Sequence, residues 1–149
     1  MDRLDKEILR LLQHDATLAV SDIADKVGLS TTPCWRRIQT LEQKGIIKRR
    51  VALLDANKID LRLTVFVQLK AARHDADWLN KFALHAAKIE QIVEFYRMSG
   101  EYDYLLKVMV ADMQAFDEFY KTLVSGIELS DVTSSFAMEQ IKYTTAMPL

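Results

Sequence analysis

The stretch VSDIADKVGLSTTPCWRRIQTLEQKG, residues 20–45, decides how this chain folds. Ile23, Ala24 and Val27 form an apolar stripe at helical spacing, which predicts a helix over residues 20–27. Ser21 or an earlier residue can cap it. Gly28 ends it, because a helix commonly closes on a left-handed residue. Only Leu29 and Ser30 intervene before a third helix over residues 31–44. Ser30 or Thr31 is its N-cap, and Pro33 lies in its first turn, where a missing N–H does no harm. Cys34, Ile38 and Leu41 fall on its inward face, and Gly45 stops it. A helix, a short glycine-containing turn and a second helix make the helix-turn-helix pattern. Ala24 is small enough for close approach, Gly28 permits the sharp turn, and Leu29 plugs the corner.

Upstream, residues 2–13 read as a first helix. Leu4, Ile8, Leu11 and Leu12 share one face, and Asp2 and Asp5 sit near its positive end. On the third helix Thr32, Trp35, Arg36 and Gln39 form a second face at i, i+3, i+4, i+7. A recognition helix enters the major groove by its N-terminal end. Arg36 there suits guanine O6 and N7, and Thr32 suits a base edge or a thymine methyl. The candidate DNA contacts are Ser21, Ser30, Thr31, Thr32, Trp35, Arg36, Arg37, Gln39, Lys48 and Arg49. Of these Arg37, Lys48 and Arg49 suit phosphates, with Arg50 beside them. Trp35 equally suits half-buried packing, and Arg37 equally suits an ion pair with a neighbouring helix.

The charge supports two units. The chain has 149 residues with 20 Lys+Arg and 21 Asp+Glu, net −1. Residues 1–50 hold ten basic and seven acidic side chains, net +3, whereas 51–149 hold ten and fourteen, net −4. Within 31–50 six cations face only Glu42, net +5. Such asymmetry points to halves with different partners. Half of the residues are apolar, enough for a core. One cysteine, Cys34, excludes a disulfide framework and a Cys₂ or Cys₄ metal site. The N-terminus lacks a secretory pattern and no apolar run spans a bilayer, so a cytoplasmic protein with no membrane partner is expected.

After Gly45 the period changes. Residues 46–54 read as a linker strand. Residues 62–70 alternate as a strand and 75–88 form a helix with Trp78, Phe82 and Ala86 in its stripe. Residues 92–98 and 103–111 are strands around the turn at 99–102. Asp112 caps a helix lined by Met113, Phe116, Tyr120 and Leu123, and 131–143 close the domain as a strand. The order βαββαβ is ferredoxin-like. The expected class is α+β: an N-terminal helix-turn-helix, winged-helix-like domain (1–46), a linker strand and hinge (47–60), and a C-terminal ferredoxin-like domain (61–149). Two helices cover one sheet face. The other carries large residues, and a second subunit is the economical cover.

Nothing in the sequence marks an enzyme. His14, His74 and His85 lack metal-like spacing, and no nucleophile or phosphate-loop motif is present. No cofactor is expected. Cys34 reads as a core residue. Sheets of this class can bind RNA, but the net −4 of the C-terminal part speaks against that. One loop has binding chemistry. Gly100 leaves backbone N–H groups open to a carboxylate, and Asp103 offers an anion for an ammonium. An amino acid needs both, although a plain hairpin turn explains the same residues.

These motifs resemble a known family. Ala24, the run from Gly28 to Ile38, then Leu41, Glu42 and Gly45-Ile46-Ile47 resemble the DNA-binding half of the leucine-responsive regulatory protein/asparagine synthase regulator family, the feast/famine regulators. Gly100-Glu101-Tyr102-Asp103-Tyr104-Leu105 is similar to the effector signature of that family. The run from Ser130 to Thr145 is most similar to its cysteine- and proline-responsive branch. The resemblance implies a DNA-binding transcriptional regulator of amino-acid metabolism genes, nucleoid-associated in the cytoplasm. It implies dimers joined through sheets, assembling into tetramers or octamers, with a small amino-acid effector between dimers. Met98, Gly100, Tyr102 and Asp103 of one dimer would hold the effector. Thr133, Ser134 and Ser135 of the facing dimer would complete the pocket.

Overall fold

The computed structural model describes residues 1–149. Its contacts divide the chain into two compact units, Met1–Leu53 with Ile141–Leu149, and Leu54–Gln140. The last nine residues thus cluster with the N-terminal unit.

The first unit is built from α1 (Arg3–His14), α2 (Val20–Val27) and α3 (Thr31–Gln43). A reciprocal capping box starts α1. Asp2 accepts from the Asp5 N–H and Asp5 accepts from the Asp2 N–H, both at 2.9 Å. Ala19, not Ser21, occupies the N-cap of α2, and no side chain caps it. Gly28 closes α2 with φ +72°, and the Leu29 N–H then bonds the Ala24 carbonyl at 2.9 Å. That contact places Leu29 against the corner, as a Schellman closure does. The buried core is Ile8, Leu9, Ile23, Ala24, Val27, Cys34, Ile38 and Leu41. Leu9 joins it unexpectedly, while Leu4, Leu11 and Leu12 are only partly buried.

The expected linker strand over 46–54 does not form. A strand needs a neighbour for its backbone groups, and no strand lies in this unit. Val51 and Leu53 there are 60% exposed.

The second unit opens with one 3-10 turn (Ala56–Ile59). It continues as β1 (Leu63–Ala71), α4 (Ala76–Ala86), β2 (Ile92–Arg97), β3 (Tyr104–Val110), α5 (Met113–Val124) and β4 (Leu129–Phe136). The sheet order is β2-β3-β1-β4, antiparallel throughout, which is the ferredoxin-like arrangement. Val65, Val67 and Leu69 of β1 and Leu106 and Val108 of β3 are fully buried beneath Phe82 and Leu123. Trp78 stacks on Phe82 at 5.1 Å between centroids and donates its indole N–H to the Glu128 carbonyl at 2.9 Å. On α5 the buried stripe is Phe116, Phe119 and Leu123, while Met113 and Tyr120 face outward. Phe119 and Tyr120 compete for one core position. The wholly apolar ring enters, and the phenol keeps its hydroxyl in water. β4 ends at Phe136, seven residues before the expected strand end at residue 143.

Candidate functional site

The first unit presents α3, the helix expected to read DNA. Ser30 holds the N-cap position of α3 with an extended backbone, but its hydroxyl caps nothing. The reason is local. An N-cap side chain accepts from the N–H two or three residues into the helix, and the third helical residue is Pro33, which removes one of those two donors. Ser30, Thr31 and Thr32 are all exposed at the positive end of the helix. One turn on, Trp35 is 50% exposed and Arg36 is exposed, with no ion pair to its guanidinium. Trp35 lies outside the buried core of the unit. Gln39 is half-buried and donates to Glu42 at 3.2 Å. Glu42 also takes Arg50 at 3.1 Å, whereas Lys48 and Arg49 are exposed and without ion pairs. Ser21 is exposed in the first turn of α2.

Arg37 is different. Its guanidinium bonds Asp2 at 2.7 Å and Asp5 at 2.8 Å, so α3 is tied to the capping box of α1. The Asp5 N–H and the Arg37 charge hold the Asp2 carboxyl below its ordinary value. Of the two readings of Arg37, the ion pair is the one the fold uses. Cys34 is fully buried, and burial pushes its thiol above the ordinary value. A thiol in that setting is core filling and a poor nucleophile. His85 bonds carbonyls of Thr122 and Leu123 at the end of α5, and His14 bonds the Arg10 carbonyl.

The second unit presents the loop after β2. Gly100 has φ +121°, a region that side-chain-bearing residues rarely enter. The loop is fastened to the end of β1. The Met98 N–H donates to the Asp103 carbonyl, and the Asp103 N–H donates to the Leu69 carbonyl, both at 2.8 Å. The Asp103 side chain then accepts from the Ala71 N–H through Oδ2, also at 2.8 Å. The β1–β3 ladder stops at Leu69 and Tyr104, and this carboxylate stands in for the next carbonyl. On the other side of β1 the register shifts between Lys70 and Ala71, leaving Ser130 as the extra residue of a bulge. One oxygen of Asp103 thus does structural service, and Oδ1 makes no hydrogen bond.

Around the loop stand groups of mixed character. The Tyr102 hydroxyl meets the Thr133 hydroxyl at 3.0 Å within the same chain. The Lys70 ammonium lies 3.5 Å from Glu101 and 5.3 Å from the centre of the Tyr102 ring. Met98 is 43% exposed at the loop entrance. The pleat separates the three residues expected from the last strand. Ser134 pairs with Val67, whose side chain points into the core, so Ser134 lies on the helix side of the sheet. Thr133 and Ser135 pair with Gln68 and Phe66 and share the opposite face. Lys70 adds a cation to this group that no motif marks. Its signal is its place on the alternating outer face of β1, next to the loop.

Comparison with known proteins agrees with both halves. Residues 1–48 match the winged helix-turn-helix DNA-binding family, and residues 64–147 match the Lrp/AsnC ligand binding domain. The chain is 51% identical over 150 residues to the DNA-binding transcriptional activator DecR of Escherichia coli K12, covering 100% of this chain and 99% of that protein. An AsnC family transcriptional regulator from Agrobacterium tumefaciens superposes with a TM-score of 0.96 at 59% identity, covering 99% of this chain and 97% of that one. A transcriptional regulator from Neisseria meningitidis, solved as an L-Met complex, superposes with a TM-score of 0.95 at 35% identity, covering 99% and 96%. No helix is long and apolar enough to cross a membrane. The chain belongs to the Lrp/AsnC family of DNA-binding transcriptional regulators.

Proposed function

We propose that this regulator reads duplex DNA with α3 and answers to a small amino acid bound at the loop of Gly100 and Asp103. The observation that carries the DNA half is the unspent outer face of α3: Trp35 half exposed, Arg36 without an ion pair, and three exposed residues with hydroxyls, Ser30, Thr31 and Thr32, at its N-terminal end. Thr32, Trp35, Arg36 and Gln39 enter the major groove, where Arg36 reads guanine. Ser21, Ser30, Thr31, Lys48 and Arg49 hold phosphates. Arg37 sets the angle between α1 and α3 and leaves the phosphates to its neighbours.

The effector half rests on paired chemistry. Open N–H groups around Gly100 take a carboxylate, and the open Oδ1 of Asp103 takes an ammonium. The L-Met complex of the Neisseria relative supports the amino-acid class. Met98, Tyr102, Thr133 and Ser135 border the bound side chain. Ser134 serves the sheet instead. The bare sheet face carries Phe66 at 38% exposure and Tyr96 at 50%, beside Leu105 and Met109. A second copy covers it, and dimers join into tetramers or octamers. The protein acts without catalysis or cofactor, in the cytoplasm on the nucleoid, on genes of amino-acid metabolism.

The test of the DNA half is selection from random duplexes with the full chain. A roughly palindromic site with half-sites about one helical turn apart, or a multiple, is expected. Enrichment of no common sequence would remove the reading role of α3.

A further inference from the structure

The tail of the chain is clasped to the first helix. Residues 141–149 cluster with the N-terminal unit. There the side-chain amide of Gln13 grips both main-chain groups of Met147. The Met147 N–H donates to Gln13 Oε1 at 2.6 Å, and Gln13 Nε2 donates to the Met147 carbonyl at 3.1 Å. One carboxamide thus does for Met147 what a neighbouring strand would do. One turn back along α1, the Arg10 guanidinium donates to the main-chain oxygen of Leu149.

The opposite end of α1 is fixed as well. Arg37 of α3 bonds Asp2 and Asp5 at 2.7 and 2.8 Å. Helix α1 therefore joins the tail at its C-terminal end to the reading helix at its N-terminal end. The tail itself is the continuation of β4, the strand that carries Thr133 and Ser135. The chain passes between the units twice, once ahead of β1 and once after β4. Both passages leave adjacent strands at the same end. Val65 pairs with Phe136, and the Ala137 N–H bonds the Thr64 carbonyl at 3.0 Å.

We propose that residues 141–149 are a strap, closed by Gln13 and Arg10, through which the state of β4 biases the position of α1 and with it α3. This rests on the amino-acid sensing reading above. A ligand shifts an equilibrium only by binding two states differently, so a coupling element must have two states. The clasp qualifies, because its hydrogen bonds are few and solvent-exposed and can open locally. Gln13 is a positioning residue here. Its side chain bonds only the main chain of Met147.

The experiment compares the full-length chain with Gln13→Ala and Gln13→Glu. Glu keeps an acceptor for the Met147 N–H and loses the donor. Three readouts are taken: hydrogen exchange of the Met147 amide, affinity for the selected duplex with and without each of the twenty amino acids, and calorimetric binding of the active amino acid. Expected in the parent is a protected Met147 amide and an amino-acid shift in DNA affinity of roughly 5–150-fold. Gln13→Ala should speed that exchange roughly fivefold, one net hydrogen bond. It should keep amino-acid binding and effector-free DNA affinity within about twofold, and shrink the shift below about twofold. Gln13→Glu should fall between. An unprotected Met147 amide in the parent overturns the strap, and so does a full shift in Gln13→Ala. A parent that binds the duplex but responds to no amino acid overturns the sensing reading, and the strap falls with it.

Discussion

The carboxylate of Asp103 accepts the backbone N–H of Ala71 at 2.8 Å, closing the end of the β1–β3 ladder. The residue proposed to hold the effector ammonium is therefore also a structural cap. Alanine and asparagine should separate the two roles. Asp103→Ala orphans the Ala71 N–H and should cost about 1–3 kcal/mol of stability. Asp103→Asn keeps a carbonyl acceptor, so it should melt close to the parent yet lose amino-acid binding. Thermal unfolding beside calorimetry reads both. Asparagine binding the amino acid at parental affinity would leave Asp103 with the cap alone.

Gly100 supplies the second loop prediction. A Cβ built there meets nothing within 4 Å, but φ is +121°. Gly100→Ala should therefore cost about 1–3 kcal/mol through backbone strain with no clash. A melting temperature equal to the parent's would show that the loop can relax without its glycine.

Arg36 and Lys48 should fail in different ways. Arg36→Ala should lose about 1–3 kcal/mol and relax specificity at one base position. Lys48→Ala should weaken all duplexes alike and flatten the slope of log affinity against log salt by about one. Titrations on a panel of single-base variants at several salt concentrations distinguish the two outcomes.

Acid should loosen the α1–α3 clamp within the first unit. The Asp2 carboxyl is held below its ordinary value of 3.8 by the Asp5 N–H first, then by Arg37. A depressed carboxyl contributes stability that is full above the ordinary value and is lost as pH falls through the lowered one. Stability from this group should be flat from neutral pH down to about pH 5 and fall off below about pH 4. Asp2→Asn keeps the cap acceptor and removes the titration, so its acid limb should be shallower. Denaturant unfolding at stepped pH measures it.

What was legible in the sequence was whatever depends on local period. Ile23, Ala24 and Val27, and Cys34, Ile38 and Leu41, are buried as their spacing predicts, and Gly28 turns left-handed at the corner. The βαββαβ order follows from strand alternation and the Asp112 cap. What escaped depended on partners distant in sequence. Phe119 displaced Tyr120 because the core selects among helical neighbours by polarity. Residues 46–54 have strand composition and no strand beside them in the chain. Arg37 could not be assigned until Asp2 and Asp5 were placed beside it. That Ser134 parts from Thr133 and Ser135 follows from the local pleat, but which of the two faces meets the core is set by the pairing of β4 with β1, which the residues themselves do not show. The grip of Gln13 on Met147 spans 134 positions and has no local signature at all.

The most direct test is to titrate the selected duplex with the full-length chain in the presence of each of the twenty amino acids. The proposed function predicts that one or a few change the apparent affinity by roughly 5–150-fold. It further predicts that Asp103→Asn abolishes the change while leaving effector-free binding intact. Equal affinity under all twenty amino acids would contradict it.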